Sequence, residues 1–419
     1  MREVLIIAYL FPPLGGGGVQ RTLGFVRHLP ANGWRPTVVC ADDDAPYWAH
    51  DDALVQRVPL EATVVRVPSG WPGAAAHWVR RAVPRTIRPT FDRMVFVPDR
   101  QAPWAPKALQ AALRVAATGR FAALYSTGSP WTNHMVAAAV QSRTQLPWIA
   151  DFRDPWTQNM TFAPPSGAHA AVHRSLESMV YRRADRIVAN TPGHMRAVQA
   201  AFPDAHQKTT FIPNGYAESD FAKKRTGPPA GEPLLIGYAG SFYPGYGPDA
   251  VLELFAKARP HAPPFRLRFM GKTELGDKPH EAGIADITEE LGYLSQEQML
   301  DRLAECHATI VAVPGLPRPN GMVPQKLYTY LRLGRPMIGV LPPGDATELV
   351  REAGPQHLLV DPLELDGPAA GRWLHRLAKG QIPDVPREEV IVRRYARDVL
   401  TQRLAALLND IAPAPTSLF

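Results

Sequence analysis

Twice in this chain an apolar run breaks into a glycine turn, and that repetition constrains the fold more than any other feature of the sequence. The apolar run Val4–Phe11 leads into Pro12-Pro13-Leu14 and four consecutive glycines, Gly15 to Gly18. Val19, Leu23, Val26 and Leu29 then recur at helical spacing, and Asn32-Gly33 closes the pattern. Leu234 to Ala239 runs into Gly240-Ser241 in the same way. Strand, glycine loop and helix in succession open a parallel α/β sheet, whose ligands gather at the carboxyl ends of its strands. Two such openings in 419 residues predict two similar α/β domains, the number a chain of this length needs.

The alternation continues through both halves. Strands are expected at Pro36–Cys40, Ala122–Ser126, Pro147–Asp151 and Arg186–Asn190, and again at Phe265–Met270, Ala308–Val313, Pro336–Leu341 and His357–Val360. Ser295 and Gln298 form a capping box for a helix reaching Glu305. A polar, Pro/Gly-rich stretch divides the halves, giving an N-terminal domain over 1–216, a linker over 217–232 and a C-terminal domain over 233–391. Residues 392–419 begin with an amphipathic helix, Val392–Ile411, which needs a core surface to cover.

Composition removes several classes. With 45% hydrophobic and 20% charged residues the chain has the apolar content of a globular protein. Two cysteines, Cys40 and Cys306, exclude a disulfide framework and a Cys-rich metal site and fit a reducing, cytoplasmic setting. No apolar run approaches the 18 residues of a spanning helix, and Val4–Phe11 lacks a signal-peptide cleavage site, so any membrane contact is peripheral, at the inner face. A net charge of +7 favours anionic partners. No nucleic-acid-binding signature accompanies it.

Three stretches carry candidate chemistry. In Asn320–Val340, Pro324 suits the first turn of a helix, Leu327, Tyr330, Leu331 and Leu333 follow helical spacing, and Gly334 suits the stop. Lys326 in that first turn, beside free N–H groups, points to a phosphate, although a solvated lysine is the alternative. Asp151-Phe152-Arg153-Asp154-Pro155-Trp156 packs two carboxylates and an arginine at a strand's carboxyl end, either for chemistry or as an ion pair with a helix cap. Trp71–Phe96 interleaves Trp71 and Trp78 with Arg80, Arg81, Arg85, Arg88 and Arg93, a surface for anionic lipid or simply a solvated basic helix. Asp42-Asp43-Asp44 reads as an acidic turn without a role.

Together, the glycine loop, Ile212-Pro-Asn-Gly215, Tyr238-Ala-Gly-Ser241, Leu291-Gly-Tyr293 and Pro324-Gln-Lys-Leu-Tyr-Thr-Tyr-Leu-Arg-Leu-Gly-Arg-Pro336 resemble the family 4 (group 1) glycosyltransferases of the GT-B fold, in the family's order and over essentially the whole chain. The resemblance implies two Rossmann-like parallel-sheet domains facing across a cleft and a last helix returning to the first domain. It implies a nucleotide-sugar co-substrate, no cofactor and no metal, and retention of anomeric configuration. The acceptor would be a glycan, a lipid-linked molecule or a small molecule. Carried over by residue, Gly16 and Gly17 would meet the donor's diphosphate or sugar, and Gly240 and Ser241 the diphosphate. Gly271 and the Leu291–Leu294 backbone with Tyr293 would meet the nucleoside; Pro324, Gln325, Lys326 and Leu327 would meet the phosphates. Asp154, with Asp151 second, would orient the acceptor hydroxyl. Two glutamates usual in the family are replaced by Gly321 and Thr329, for which Asn320 and Thr329 substitute only as uncharged hydrogen bonders.

Overall fold

Strands buried on both faces need helices on both sides, and the chain supplies them by alternating the two along its length. The computed structural model describes residues 1–43, 45, 47, 50–69, 88–159, 162–231, 233–242, 248–313, 321–385 and 390–413. It divides into two units, Met1–Asn214 with Arg397–Phe419, and Gly215–Ala396.

The first unit is built on seven parallel strands: β1 (Arg2–Ile7), β2 (Trp34–Ala41), β3 (Thr63–Val67), β4 (Phe121–Gly128), β5 (Trp148–Phe152), β6 (Arg186–Ala189) and β7 (Thr209–Phe211). Their order is β3-β2-β1-β4-β5-β6-β7, so the sheet reverses its winding between β1 and β4. The glycine loop therefore lies at the switch point, because β1 delivers it there. Gly16, with φ of +85°, takes the backbone turn that a side chain would disfavour and caps the helix Gly17–His28.

The helix Arg397–Ile411 belongs to this first unit. A Cβ on Gly24 would lie 2.5 Å from Arg397 Cδ, so the first helix can approach the last only because position 24 has no side chain. Arg397 also donates to Gln20 (3.1 Å), and the Trp34 indole donates to Asn409 (3.1 Å). The helix begins at Arg397 rather than at Val392, the preceding turn Val390–Arg393 being a separate short helix.

In the second unit six parallel strands, β8 (Leu234–Ala239), β9 (Phe265–Met270), β10 (Thr288–Glu290), β11 (Ala308–Ala312), β12 (Met337–Val340) and β13 (Leu358–Val360), run in the order β10-β9-β8-β11-β12-β13. The winding pattern of the first sheet thus recurs, with its switch point between β8 and β11. The Ser295–Gln298 capping box starts the helix Gln296–Ala304. The stretch expected to be only a linker contains a 3-10 turn, Glu218–Phe221, tied to Arg332 through Glu218. Among the described residues no helix is long and apolar enough to cross a membrane. Cys40 and Cys306 are both buried thiols, one in each unit.

Candidate active site

In the second unit the loops after neighbouring strands of the switch point bring a cation to a glycine turn. Gly240 follows β8 with φ of +131°, and a Cβ there would stand 2.7 Å from Lys326 Nζ. Lys326 lies in the first turn of the helix Gln325–Leu333, whose N-cap Pro324 contributes no side-chain acceptor and whose first turn holds no acid. The ammonium sits 3.7 Å from the centre of the Tyr238 ring, and Tyr238 stacks on Phe242 at 4.4 Å. Tyr330, one turn beyond Lys326, accepts from Ala239 N–H (2.8 Å) and donates to its carbonyl (3.2 Å). Helix and β8 are thereby locked together just before Gly240.

Among the described residues Lys326 has no carboxylate partner and makes no hydrogen bond. Its side chain keeps partial exposure while its ammonium is packed against Tyr238 and Gly240, and burial pulls its pKa down to about 7. A cation without a counter-ion at the positive end of a helix is a place where an anion would be favoured.

The neighbouring turn completes the floor. Gly271, after β9, has φ of +112°, and a Cβ there would meet the Gly240 carbonyl oxygen at 2.4 Å. Gly240 N–H donates to Met270 (2.8 Å), and Gly271 N–H to Gly292 (2.7 Å). These bonds draw the turns after β8, β9 and β10 into one surface. Ser241 is half-buried there, and Tyr293 is 66% exposed beside Gly292. Pro324, Gln325 and Thr329 are partly exposed. Leu327 departs from expectation, because its side chain is fully buried and its N–H is taken by Pro324 (3.0 Å), leaving nothing for a phosphate. Asn320 lies outside the described residues.

In the first unit the two aspartates separate. Asp151 is fully buried: Arg21 donates to it twice (2.6 and 2.8 Å), and Tyr125 (2.6 Å) and Thr127 (2.9 Å) add their hydroxyls. Burial alone would raise its pKa, but Arg21 and the hydroxyl donors hold it below the ordinary aspartate value. The structure thus corrects the candidacy of Asp151. Its four hydrogen bonds tie β5 to the first helix and to β4, and at zero exposure it offers no face to a substrate. Arg21, a residue the sequence did not single out, also reaches the Pro213 carbonyl (3.0 Å) and so joins the ends of β5 and β7. Its position two residues after the helix's first valine carried no signal of this partner.

Asp154 is half-buried beyond the end of β5, accepting from Ser129 (3.3 Å) and lying 3.5 Å from Arg153 Nε. Arg153 also donates to the Ser129 carbonyl and covers Gly18, where a Cβ would fall 2.0 Å from its guanidinium. Gly18 is therefore a glycine of the loop whose smallness makes room for Arg153. Gly16 and Gly17 form the start of the helix itself.

Residues 16–215 match the glycosyl transferase 4-like domain family. No curated protein matches the chain. Solved structures with the same fold include HepE of Anabaena in complex with UDP-glucose (15% identity, TM-score 0.64, 98% of this chain and 100% of that one). The sucrose-phosphate synthase of Thermosynechococcus elongatus is similar to the same extent (14% identity, TM-score 0.64, 98% and 99% covered). So is the lipopolysaccharide outer core galactosyltransferase WaaB in its apo form (13% identity, TM-score 0.60, 98% and 100% covered). Two parallel-sheet units with one shared winding order define a GT-B protein. The first of them carries the glycosyl transferase 4-like domain, and the chain as a whole has the GT-B fold of these structures.

Proposed function

We propose that the protein transfers a sugar, of hexosyl type, from a nucleotide-diphosphate sugar to a hydroxyl of a glycan, lipid-linked or small-molecule acceptor. Anomeric configuration is retained, and no metal or other cofactor takes part. The observation that carries this reading is the uncompensated ammonium of Lys326 beside Gly240 at an uncapped helix start. As the glycosidic bond breaks, negative charge builds on the departing diphosphate. A cation and backbone N–H groups fixed in advance stabilise that charge without reorganising, which is the work a divalent ion would otherwise do. HepE, which shares the fold, is seen with UDP-glucose and separately with UDP and glucose, in keeping with a nucleotide-sugar donor here.

In this reading Gly240, Ser241, Pro324, Gln325 and Lys326 hold the diphosphate, Gly271 and Tyr293 flank the nucleoside, and Asn320 and Thr329 serve the ribose or sugar. Gly16 and Gly17 meet the donor from the first unit's loop, and Asp154 orients the acceptor hydroxyl. The enzyme works in the cytoplasm. The helix Arg88–Val95, the described end of the basic stretch over 71–96, exposes Met94 and Val95 and supports docking at an anionic membrane surface.

Incubation with radiolabelled UDP-, GDP- and dTDP-sugars and lipid, glycan and small-molecule acceptors tests the proposal. Label arriving on an acceptor hydroxyl with its original anomeric configuration supports it. Replacement of the family's two glutamates by Gly321 and Thr329 favours a second reading, a nucleotide-sugar binder or epimerase-like enzyme. Binding without transfer, or sugar released or epimerised with no acceptor, would select that alternative.

A further inference from the structure

A fully buried carboxylate in the first unit has no part in the chemistry above. Glu177, on the helix Gly167–Arg183, accepts from the Thr157 backbone N–H (3.3 and 3.4 Å), the Thr157 hydroxyl, Gln158 Nε2 (3.3 Å) and the Tyr181 hydroxyl (3.0 Å). Three of those four donors come from one short segment just after β5, the segment that begins with Asp154. A second tie runs parallel: the Trp156 indole donates to His173 Nδ1 (3.0 Å) on the same helix, and Trp156 stacks on Trp131 at 5.1 Å with an interplanar angle of 4°. Structural carboxylates seldom lie at zero exposure without a cation, and among the described residues Glu177 forms no ion pair.

We propose that Glu177 is a positioning residue, its carboxylate gathering Thr157 and Gln158 onto the Gly167–Arg183 helix so that Asp154 is held in one place at the carboxyl end of β5. The inference rests on the reading of Asp154 as the residue that orients the acceptor. As an anion Glu177 can accept all four donors at once. Once protonated it must itself donate, which turns the Thr157 hydroxyl round and loosens Gln158, whose Nε2 is then left with the Thr157 hydroxyl oxygen (2.8 Å) alone. The change falls in an accessible range, since burial lifts the Glu177 pKa to about 7 against the pull of its donors. The titratable groups around it are Tyr181 and His173 on its own helix and, beyond Phe152, His134 of the helix Thr132–Thr144. Burial depresses the pKa of both imidazoles, with His169 adding to the effect on His173, and His173 Nδ1 is already engaged as the acceptor of the Trp156 N–H.

The full-length protein labelled with 5-fluorotryptophan reports this directly, the Trp156 resonance being assigned with Trp156→Phe. The expected result is a Trp156 shift with a midpoint near pH 7 that persists in His173→Gln and disappears in Glu177→Gln. Thr157→Val, which keeps the helix intact and removes one donor to the carboxylate, should move the midpoint upward. A Trp156 signal that stays flat between pH 6 and 8.5, or a step that survives unchanged in Glu177→Gln, overturns the proposal. With the acceptor found in the labelled-sugar assay, Glu177→Gln should raise the acceptor KM about tenfold while UDP affinity by calorimetry stays unchanged, misplacement of a reacting group being costly. Equal losses in both would overturn a positioning role. If Asp154→Asn transfers sugar normally, the acceptor reading fails by itself, and the Trp156 titration still decides what Glu177 holds.

Discussion

Replacing Asp151 by asparagine separates a carboxylate that holds the fold from one that does chemistry. In Asp151→Asn the Arg21 guanidinium, 2% exposed, keeps its charge and loses its counter-charge, while the new amide nitrogen is aimed at one of the groups that donate to Asp151. Breaking a buried pair from one side costs about 3–5 kcal/mol, because the remaining ion stays desolvated. For a unit of this size each kcal/mol moves the midpoint by about 2–4 °C, so the first unit's transition should fall by roughly 10 °C. Removing both charges in Arg21→Met/Asp151→Leu should recover about half of that loss. The remainder, about 1 kcal/mol for each, belongs to the Tyr125 and Thr127 hydroxyls, which lose their acceptor. Calorimetry at pH 7.5 reads the stabilities, and transfer per folded molecule reads the chemistry. The reasoning is refuted if Asp151→Asn melts like the wild type and has lost transfer, for then the buried carboxylate serves the acceptor after all.

Other consequences concern charge and space in the second unit. Lys326→Ala should weaken nucleoside diphosphate binding by about 1.5–3 kcal/mol, the range of a charge-assisted contact, and unchanged calorimetric affinity for UDP, GDP and dTDP would remove Lys326 from the site. Because burial pulls the Lys326 pKa down to about 7, nucleoside diphosphate affinity should also decline as pH rises from 7 toward 9, a trend that Lys326→Ala abolishes. Gly240→Ala places a methyl group 2.7 Å from Lys326 Nζ at a φ of +131°, so nucleoside diphosphate affinity should drop about tenfold or more; an alanine variant that binds normally would show that this turn is not used. His357 Nδ1 accepts the Met337 N–H (3.0 Å), and burial lowers its pKa to about 4. A depressed histidine pKa gives stability that is present above the ordinary value and lost as pH falls through the folded value, here about 2 kcal/mol by pH 5. His357→Asn, which keeps an acceptor and cannot charge in that range, should flatten the second unit's stability between pH 7 and 5, and an unaltered slope would show that His357 does not supply it.

Much of this protein was legible as sequence because it is local. Apolar runs followed by glycine determine strands and turns, the Ser295–Gln298 box determines a helix start, and Lys326 four residues before Tyr330 places both on one helical face. The short edge strands Thr63–Val67, Thr209–Phe211 and Thr288–Glu290 escaped, since they are brief, partly exposed and defined by the neighbours they pair with. The roles of Asp151, Glu177 and Tyr330 escaped for a different reason. Two residues separate Asp151 from Asp154, and nothing in that spacing says that one faces Arg21, 130 positions away, while the other keeps an open side. Strand order is likewise a tertiary outcome, and it is strand order that carries Gly240 to Lys326 across 85 intervening positions. Residue type and periodicity determined which groups could hold a charge; only packing decided which were desolvated, which were paired, and which were left facing outward with a charge still to be met.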